Sequence, residues 1–201
     1  MSISNYAELQ AAVADWLNRN DLTARVTDFI RMGEDQLSLD LKARQMESQV
    51  ILNTTAGVAN VALPTDMHEL RRFRVNVPYS QPLAYRTPDE ISADYSSSAS
   101  GQPIVYTIIG FNAELAPIPD AAYQLLLTYQ QQLPPLSDLA PVNWLITDFP
   151  SAYLYASLLA AEPFLKNDDR IPTWQAMYQK IVDSINGSDW AVASTLRVRA
   201  R

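Results

Sequence analysis

The period of the hydrophobic pattern changes twice along this chain, which restricts the folds open to it. Near the N-terminus, apolar residues recur every three or four positions, as at Leu9, Val13 and Leu17, and this is the period of an amphipathic helix. Residues 47–147 instead contain short apolar runs bounded by proline, glycine and polar residues, a pattern typical of β-strands. The helical period resumes near Pro150. The sequence therefore predicts two helical ends around a β-rich middle.

Four main helices are predicted. The first follows Asn5, where Glu8 three residues later completes an N-cap arrangement. The second covers residues 22–44, and a short polar break before it predicts that the two helices pack as an antiparallel hairpin. The third covers residues 152–165, and the fourth residues 171–187, ending at a glycine.

Tryptophan side chains bury large areas in cores and interfaces. Trp16 and Trp174 lie on the apolar faces of the first and fourth helices, so we expect both in the core. Trp144 and Trp190 are expected to anchor a core or an interface rather than to bind a ligand.

The middle of the chain is expected to contain several strands and one short helix. Residues 50–52 and 58–63 flank Ala56-Gly57 and are interpreted as a β-hairpin. Thr87-Pro88-Asp89-Glu90 has the residue types of a helix start, which predicts a helix to about Tyr95. Further strands are predicted at residues 73–77, 83–86, 104–109, 113–116 and 123–129.

These elements predict an α+β fold, in which the N- and C-terminal helices form a helical bundle and the middle forms a central antiparallel β-rich subdomain. A length of 201 residues suits one domain. Within residues 1–201 we expect residues 1–46 and 148–187 to form the helical part, 47–147 the β-rich insertion and 188–201 a C-terminal tail.

The composition excludes several classes of site. The absence of cysteine excludes disulfides, thiolate zinc sites and cysteine nucleophiles. The net charge of -7 disfavours a protein that grips nucleic-acid phosphates along its whole surface. No apolar run approaches the roughly 20 residues of a membrane helix, and the first residues lack the order of a signal peptide. We therefore expect a soluble protein with no membrane association.

His68 is the only histidine, so a metal site there would need carboxylates such as Asp66 and Glu69. The competing interpretation is a turn after a strand, in which Asp66 caps and His68 is half exposed. A serine nucleophile is disfavoured because the chain has no Gly-x-Ser-x-Gly elbow. The five glycines form no phosphate-binding loop.

Paired carboxylates are the remaining candidates for acid–base chemistry, and each pair has a structural alternative. Asp168-Asp169 falls in a predicted turn between helices, and Asp89-Glu90 falls in a first helical turn, where negative charge is favoured. Glu34-Asp35 is predicted on the polar side of the second helix. We expect no catalytic residue, no metal and no cofactor.

The order and spacing of the segments, rather than any single motif, resemble the head-to-tail adaptors of tailed bacteriophages, a family that includes connectors and adaptors like tail tubular protein A. The resemblance covers nearly the whole chain before residue 188. It is carried by NYAELQAAVADWLNRNDLTARVTDFIRMGEDQLSLDLKAR, VALPTDMHELRRFRV, LAYRTPDEI, GQPIVYTIIG, AELAPIPDAAYQLLLTYQQQLPPLSD and NWLITDFPSAYLYASLLAAEPFLKNDDRIPTWQAMYQKI.

The resemblance implies a structural virion protein and not an enzyme. Members of that family form a ring of about twelve copies beneath the portal, contact the tail or nozzle proteins, and let DNA pass without sequence-specific binding. The implied location is the head–tail junction, after assembly in the host cytoplasm. From the residues alone, two other functional interpretations stay open. One is a small monomeric or dimeric module that binds a ligand or peptide with its β subdomain, and the other is a carboxylate hydrolase.

Three groups of residues are candidate contacts. Arg71, Arg72 and Arg74 form a basic cluster that suits nucleic acid or an acidic partner, although an ordinary solvated strand face would look the same. A low-complexity loop is expected to be flexible and to serve as an interface; it includes Ser96, Ser97, Ser98, Ser100 and Gly101.

The third group is the tail from about Trp190, which ends in Leu196, Val198 and Ala200 alternating with Arg197, Arg199 and Arg201, the period of a strand. We expect it to dock on the portal or a neighbouring copy by strand addition, and the alternative is a frayed basic terminus. The contact residues would be Trp190, Leu196, Arg197, Val198, Arg199 and Arg201.

Overall fold

A computed structural model describes residues 3–95, 99–165 and 168–191. The chain divides into two compact units, one built from the described parts of 1–45 and 133–201 and the other from 46–132. The helices are α1 (Tyr6–Leu17), α2 (Val26–Asp40), α3 (Pro88–Asp94), α4 (Trp144–Asp148), α5 (Pro150–Ala160) and α6 (Ile171–Ala191). The strands are β1 (Glu47–Asn53), β2 (Asn60–Ala62), β3 (Met67–Val75), β4 (Ala84–Tyr85), β5 (Val105–Ile109), β6 (Asn112–Ala116) and β7 (Gln124–Gln131). The α+β class is confirmed.

The helical unit contains α1, α2, α4, α5 and α6 around an apolar core. The predicted start of α1 is confirmed, because the Asn5 side chain accepts a hydrogen bond of 2.9 Å from the Glu8 amide. Gly33 of α2 permits a close approach to α5, since a Cβ atom there would lie 3.0 Å from backbone atoms of Ala156 and Ser157. The glycine that weakens α2 as an isolated helix therefore allows its packing.

Several helix boundaries differ from the prediction. A 3-10 turn (Asn20–Arg25) precedes α2, which ends at Asp40. The short helix α4 was not predicted. Helix α6 continues past Gly187 to Ala191, because a single glycine lowers helix stability by only about 1 kcal/mol and does not end a helix by itself.

The tryptophan prediction is right for one residue and wrong for another. Trp174 is 3% exposed, but Trp16 is 40% exposed and packs edge-on against the Tyr155 ring at 6.0 Å between centroids. Leu17, the last residue of α1, is the one buried at this end of the helix, and Trp16 next to it points to a more exposed side. Periodicity places both residues on an apolar helix face, but whether a residue on that face is buried also depends on the neighbouring helix.

The β unit contains two sheets. The first has the order β1-β7-β3 and is antiparallel throughout. The second has the order β2-β6-β5-β4, and its β4-β5 pair is parallel, which the predicted antiparallel arrangement did not include. The two sheets share a core composed of Val61, Leu63, Phe73, Val75, Leu83, Tyr106, Ala113, Leu115, Leu125, Leu127 and Tyr129.

The predicted hairpin between residues 50–52 and 58–63 is wrong. Ile51 of β1 pairs with Leu126 of β7, whereas Val61 of β2 pairs with Ala113 of β6, so the two strands belong to different sheets. Alternation of apolar residues specifies the buried face of a strand and not its partner.

The short helix α3 begins as predicted. The Thr87 side chain accepts from the Glu90 amide at 3.3 Å, and the Glu90 carboxylate accepts from the Thr87 amide at 2.9 Å. This reciprocal arrangement is a capping box.

Within the described ranges, no helix has the length and apolar character needed to cross a bilayer.

Candidate interaction surfaces

The expected turn is present at residues 64–67, where the Met67 amide donates to the Pro64 carbonyl at 3.2 Å, but the only histidine lies just beyond this turn, in a strand. His68 belongs to β3, and its side chain is exposed. Asp66 does not cap a turn through its side chain but accepts hydrogen bonds from Gln131 Nε2 at 2.7 Å and from the Tyr129 hydroxyl at 3.3 Å. Asp66 thus ties the start of β3 to β7. In the described part of the chain, no three histidine, aspartate or glutamate side chains come together as a metal-binding group.

Two of the carboxylate pairs have local structural roles. Asp168 forms an ion pair of 2.6 Å with Arg170, and this hydrogen-bonded contact lowers the pKa of Asp168 to about 2. Hydrogen bonds from the backbone and side chain of Thr87 lower the pKa of Glu90. Both carboxylates are therefore charged at neutral pH and engaged at helix starts.

Glu34 contradicts the expectation that it faces solvent on α2. It is 6% exposed, and its Oε1 accepts hydrogen bonds from the Leu136 amide at 2.7 Å and the Tyr153 hydroxyl at 3.4 Å. The Tyr153 hydroxyl also accepts from Asn143 Nδ2 at 2.6 Å. Burial raises the pKa of Glu34 to about 7. This network fastens the segment after residue 133 to α2 and α5.

The three arginines of the basic cluster have different surroundings. Arg71 forms an ion pair of 3.3 Å with Glu69 and donates to Gln130 Oε1 at 3.0 Å, so its charge is engaged. Arg72 and Arg74 occupy alternate positions of β3 and share its outer face. Among the described residues, neither has a carboxylate within ion-pair distance.

The structure describes only part of the serine loop and of the tail. Ser96–Ser98 lie outside the described residues. Ser100 pairs with Ile118, and the Gly101 amide donates to the Ile118 carbonyl at 2.9 Å, so backbone hydrogen bonds hold this end of the loop. Residue 190 falls within α6, and Leu196, Arg197, Val198, Arg199 and Arg201 lie outside the described residues.

Two exposed apolar sites escaped the sequence analysis. Leu139, at the tip of a turn in the helical unit, is 99% exposed. Tyr79, in the β unit, is fully exposed. Its backbone φ is 59°, a value that residues other than glycine and asparagine rarely adopt. For Leu139 the sequence offered one signal, a single leucine between Ser137-Asp138 and Ala140-Pro141. For Tyr79 it offered none, because a tyrosine does not indicate a positive φ.

The model of the family described as SU10 adaptor protein matches residues 4–199 of the chain. The chain belongs to this family. The match confirms the resemblance to phage head-to-tail adaptors and identifies a structural bacteriophage adaptor protein, a component of the virion that interacts with other virion proteins. No curated protein matches the chain.

Proposed function

We propose that this adaptor forms a ring between the portal and the tail or nozzle proteins, with a central channel through which DNA passes during ejection. The observation that carries the proposal is the family match, which extends over residues 4–199 and includes both units. A complete ring is expected to contain about twelve copies, as the resemblance implies.

Exposed apolar side chains support a role in assembly. On the helical unit they include Met32, Leu39 and Leu139, and on the β unit Val77, Tyr79 and Ile104. Single exposed apolar residues are ordinary, but a protein that contacts copies of itself and two further partners needs several such surfaces. Their presence on each unit fits a subunit with several neighbours.

The negative net charge of the chain suits the wall of a channel through which DNA must pass without binding. The net charge is -7, and like charge keeps phosphates from binding to the wall. We assign the adaptor no enzymatic step and no cofactor, and we place it at the head–tail junction after assembly in the host cytoplasm. Arg72 and Arg74, which form no ion pair among the described residues, and the serine loop are proposed contacts with neighbouring proteins.

The tail is the proposed portal contact. Its alternating residues suit strand addition, in which the main chain provides hydrogen bonds and Arg197, Arg199 and Arg201 meet an acidic surface. Removing residues 192–201 keeps α6 through Ala191 and should abolish portal binding. Changing the three arginines to alanine preserves the length and should weaken binding in a salt-dependent way. Unchanged binding after the truncation would exclude this role of the tail.

The mass of the assembled protein tests the main proposal. Native mass spectrometry of the chain alone and after mixing with its portal should detect a species of about twelve times the 22.5 kDa subunit mass, alone or on the portal. A species that stays at one or two subunits and ignores the portal would favour the small binding module instead.

A further inference from the structure

The turn that carries Leu139 is rigidly held. The amides of Ser137 and Ala140 each donate to the other residue's carbonyl at 3.1 Å, and the Ser137 hydroxyl accepts from the Ala140 amide at 3.1 Å. These bonds leave Asp138 and Leu139 at the tip, both exposed. We call Asp138 and Leu139 the tip pair.

Both flanks of this turn are fastened to the helical unit. Before the turn, the Leu136 amide donates to the buried Glu34 carboxylate at 2.7 Å. After it, the Pro141 carbonyl accepts from the Tyr6 amide at 2.8 Å. These anchors restrict the conformations open to the tip pair, which reduces the entropy that a partner must offset on binding.

The β unit contains a concave and mostly apolar surface of suitable size. Its volume is about 350 Å³, which accommodates a leucine side chain. Apolar residues of its lining include Val77, Pro78, Tyr79, Pro82, Pro103 and Ile104, and the polar residues Ser80, Gln81 and Gln102 also line it. The residues that line it include no charged side chain. We call it the proline concavity.

Tyr79 at its rim is held in an unfavourable backbone conformation. Its φ of 59° lies in the left-handed region, which costs a residue with a Cβ about 1–2 kcal/mol. Neighbouring hydrogen bonds fix the turn, because the Ser80 amide donates to the Val77 carbonyl at 3.3 Å and the Ser80 hydroxyl donates to the Val75 carbonyl. The Tyr79 ring is fully exposed and gains no burial within its own subunit that would offset this cost, so the strain points to a contact made elsewhere.

A positive charge lies beside the proline concavity. Arg74 Nη1 donates to the Val77 carbonyl at 3.4 Å and to the Ser80 hydroxyl at 3.3 Å, both long hydrogen bonds to neutral groups. Its Nε is buried and has no hydrogen-bond partner in the described residues. The tip pair offers the complementary combination, a carboxylate at Asp138 next to an apolar Leu139.

We propose that the tip pair of one copy inserts into the proline concavity of a second copy, with Leu139 on the proline and tyrosine side chains and Asp138 facing Arg74. The two surfaces differ, so the contact is heterologous, and repetition of a heterologous contact closes a ring when the rotation permits. The inference rests on the proposed ring and names the contact between its neighbours.

Cysteine cross-linking tests this contact directly, because the chain has no cysteine of its own. One copy carries Leu139→Cys and the other Ile104→Cys, and the assembled species, identified by its mass, is mildly oxidised. We expect a disulfide-linked dimer from the mixture and little from either variant alone. Phe111→Cys replaces Ile104→Cys as the matched control, since Phe111 is exposed but lies beyond the other end of β5.

A linked dimer in the first mixture but not in the control supports the contact. An assembled ring with no linkage, or with equal linkage in both mixtures, overturns the inference and leaves the proposed function intact. Absence of any assembled species, alone or with the portal, overturns the proposed function and the inference together.

Charge reversal provides a second test that does not depend on disulfide geometry. Asp138→Arg should lower the association constant at least tenfold, because it places a second positive charge against Arg74. Asp28→Arg, at an exposed position of α2, makes the same charge change and should leave association within about twofold. Equal effects of the two variants would overturn the proposed pairing.

Discussion

Gly33 lies so close to Ala156 that a Cβ atom at residue 33 would be 3.0 Å from the Ala156 carbonyl carbon. That contact is between α2 and the backbone of α5, which cannot rotate away as a side chain can. Gly33→Ala should therefore destabilise the protein by about 1–3 kcal/mol, despite a gain of up to about 1 kcal/mol in helix propensity. Chemical denaturation followed by circular dichroism measures the change.

Gly187 provides the matched control. It also lies inside a helix, but nothing lies within 4 Å of a Cβ placed there. Gly187→Ala should stabilise the protein by about 0.5–1 kcal/mol, as expected for an unobstructed helical position. Stabilisation by both substitutions would show that α2 and α5 are not packed as closely as described.

The buried Glu34 makes stability depend on pH. Its pKa rises from 4.5 to about 7 on folding, so between these values the folded state binds more protons than the unfolded state. Stability contributed by this group is complete below about pH 4.5 and is lost as the pH rises through about 7. The loss should be about 1–3 kcal/mol between pH 4.5 and pH 8.

Glu34→Gln removes the titration and keeps an acceptor for the Leu136 amide. The variant should be more stable than the parent at pH 8 and should have a flatter profile of unfolding free energy against pH. Asp28→Asn, an exposed aspartate on the same helix that does not contribute to the Glu34 pKa shift, serves as the control and should leave the parent profile unchanged. Parallel profiles for the parent and Glu34→Gln would contradict the assignment.

How much of this fold the sequence predicts depends on the range of the interaction involved. Leu9, Val13 and Leu17 are all buried, as their spacing predicts, because a helix face is a local property. The separation of β1 from β2 into two sheets depends on β6 and β7, whose paired residues lie at least 50 positions further along the chain, so no local pattern encodes it.

The same limit applies to the candidate contacts. The sequence identifies the arginines of β3 and the carboxylate pairs as candidate residues, but it does not predict which residues they form hydrogen bonds and ion pairs with. Glu34 sits at a helix position whose neighbour Asp35 is exposed, and its burial and its hydrogen bonds to Leu136 and Tyr153 depend on segments about 100 residues away in sequence. Leu139 and Tyr79 depend on turns closed by backbone hydrogen bonds, which residue types only partly specify.

The capping box at α3 should contribute measurably to the β unit. Thr87→Ala removes the acceptor for the Glu90 amide and should cost about 1 kcal/mol of unfolding free energy. Thr87→Ser retains the hydroxyl and should cost less than half as much. Equal losses for the two variants would mean that the Thr87 methyl group, and not the cap, stabilises α3.

Tyr79 separates the stability of the subunit from its assembly. Because φ is 59°, replacing tyrosine with asparagine, which tolerates this conformation, should leave the unfolding free energy unchanged or raise it by up to about 1 kcal/mol. The same variant loses the aromatic ring at the rim of the proline concavity and should assemble at least tenfold more weakly. Tyr79→Phe keeps the ring and the strain, so it should match the parent in both measurements.

A loss of unfolding free energy in Tyr79→Asn with unchanged assembly would instead mean that the Tyr79 ring packs within its own subunit. The strain at Tyr79 would then have no role in association.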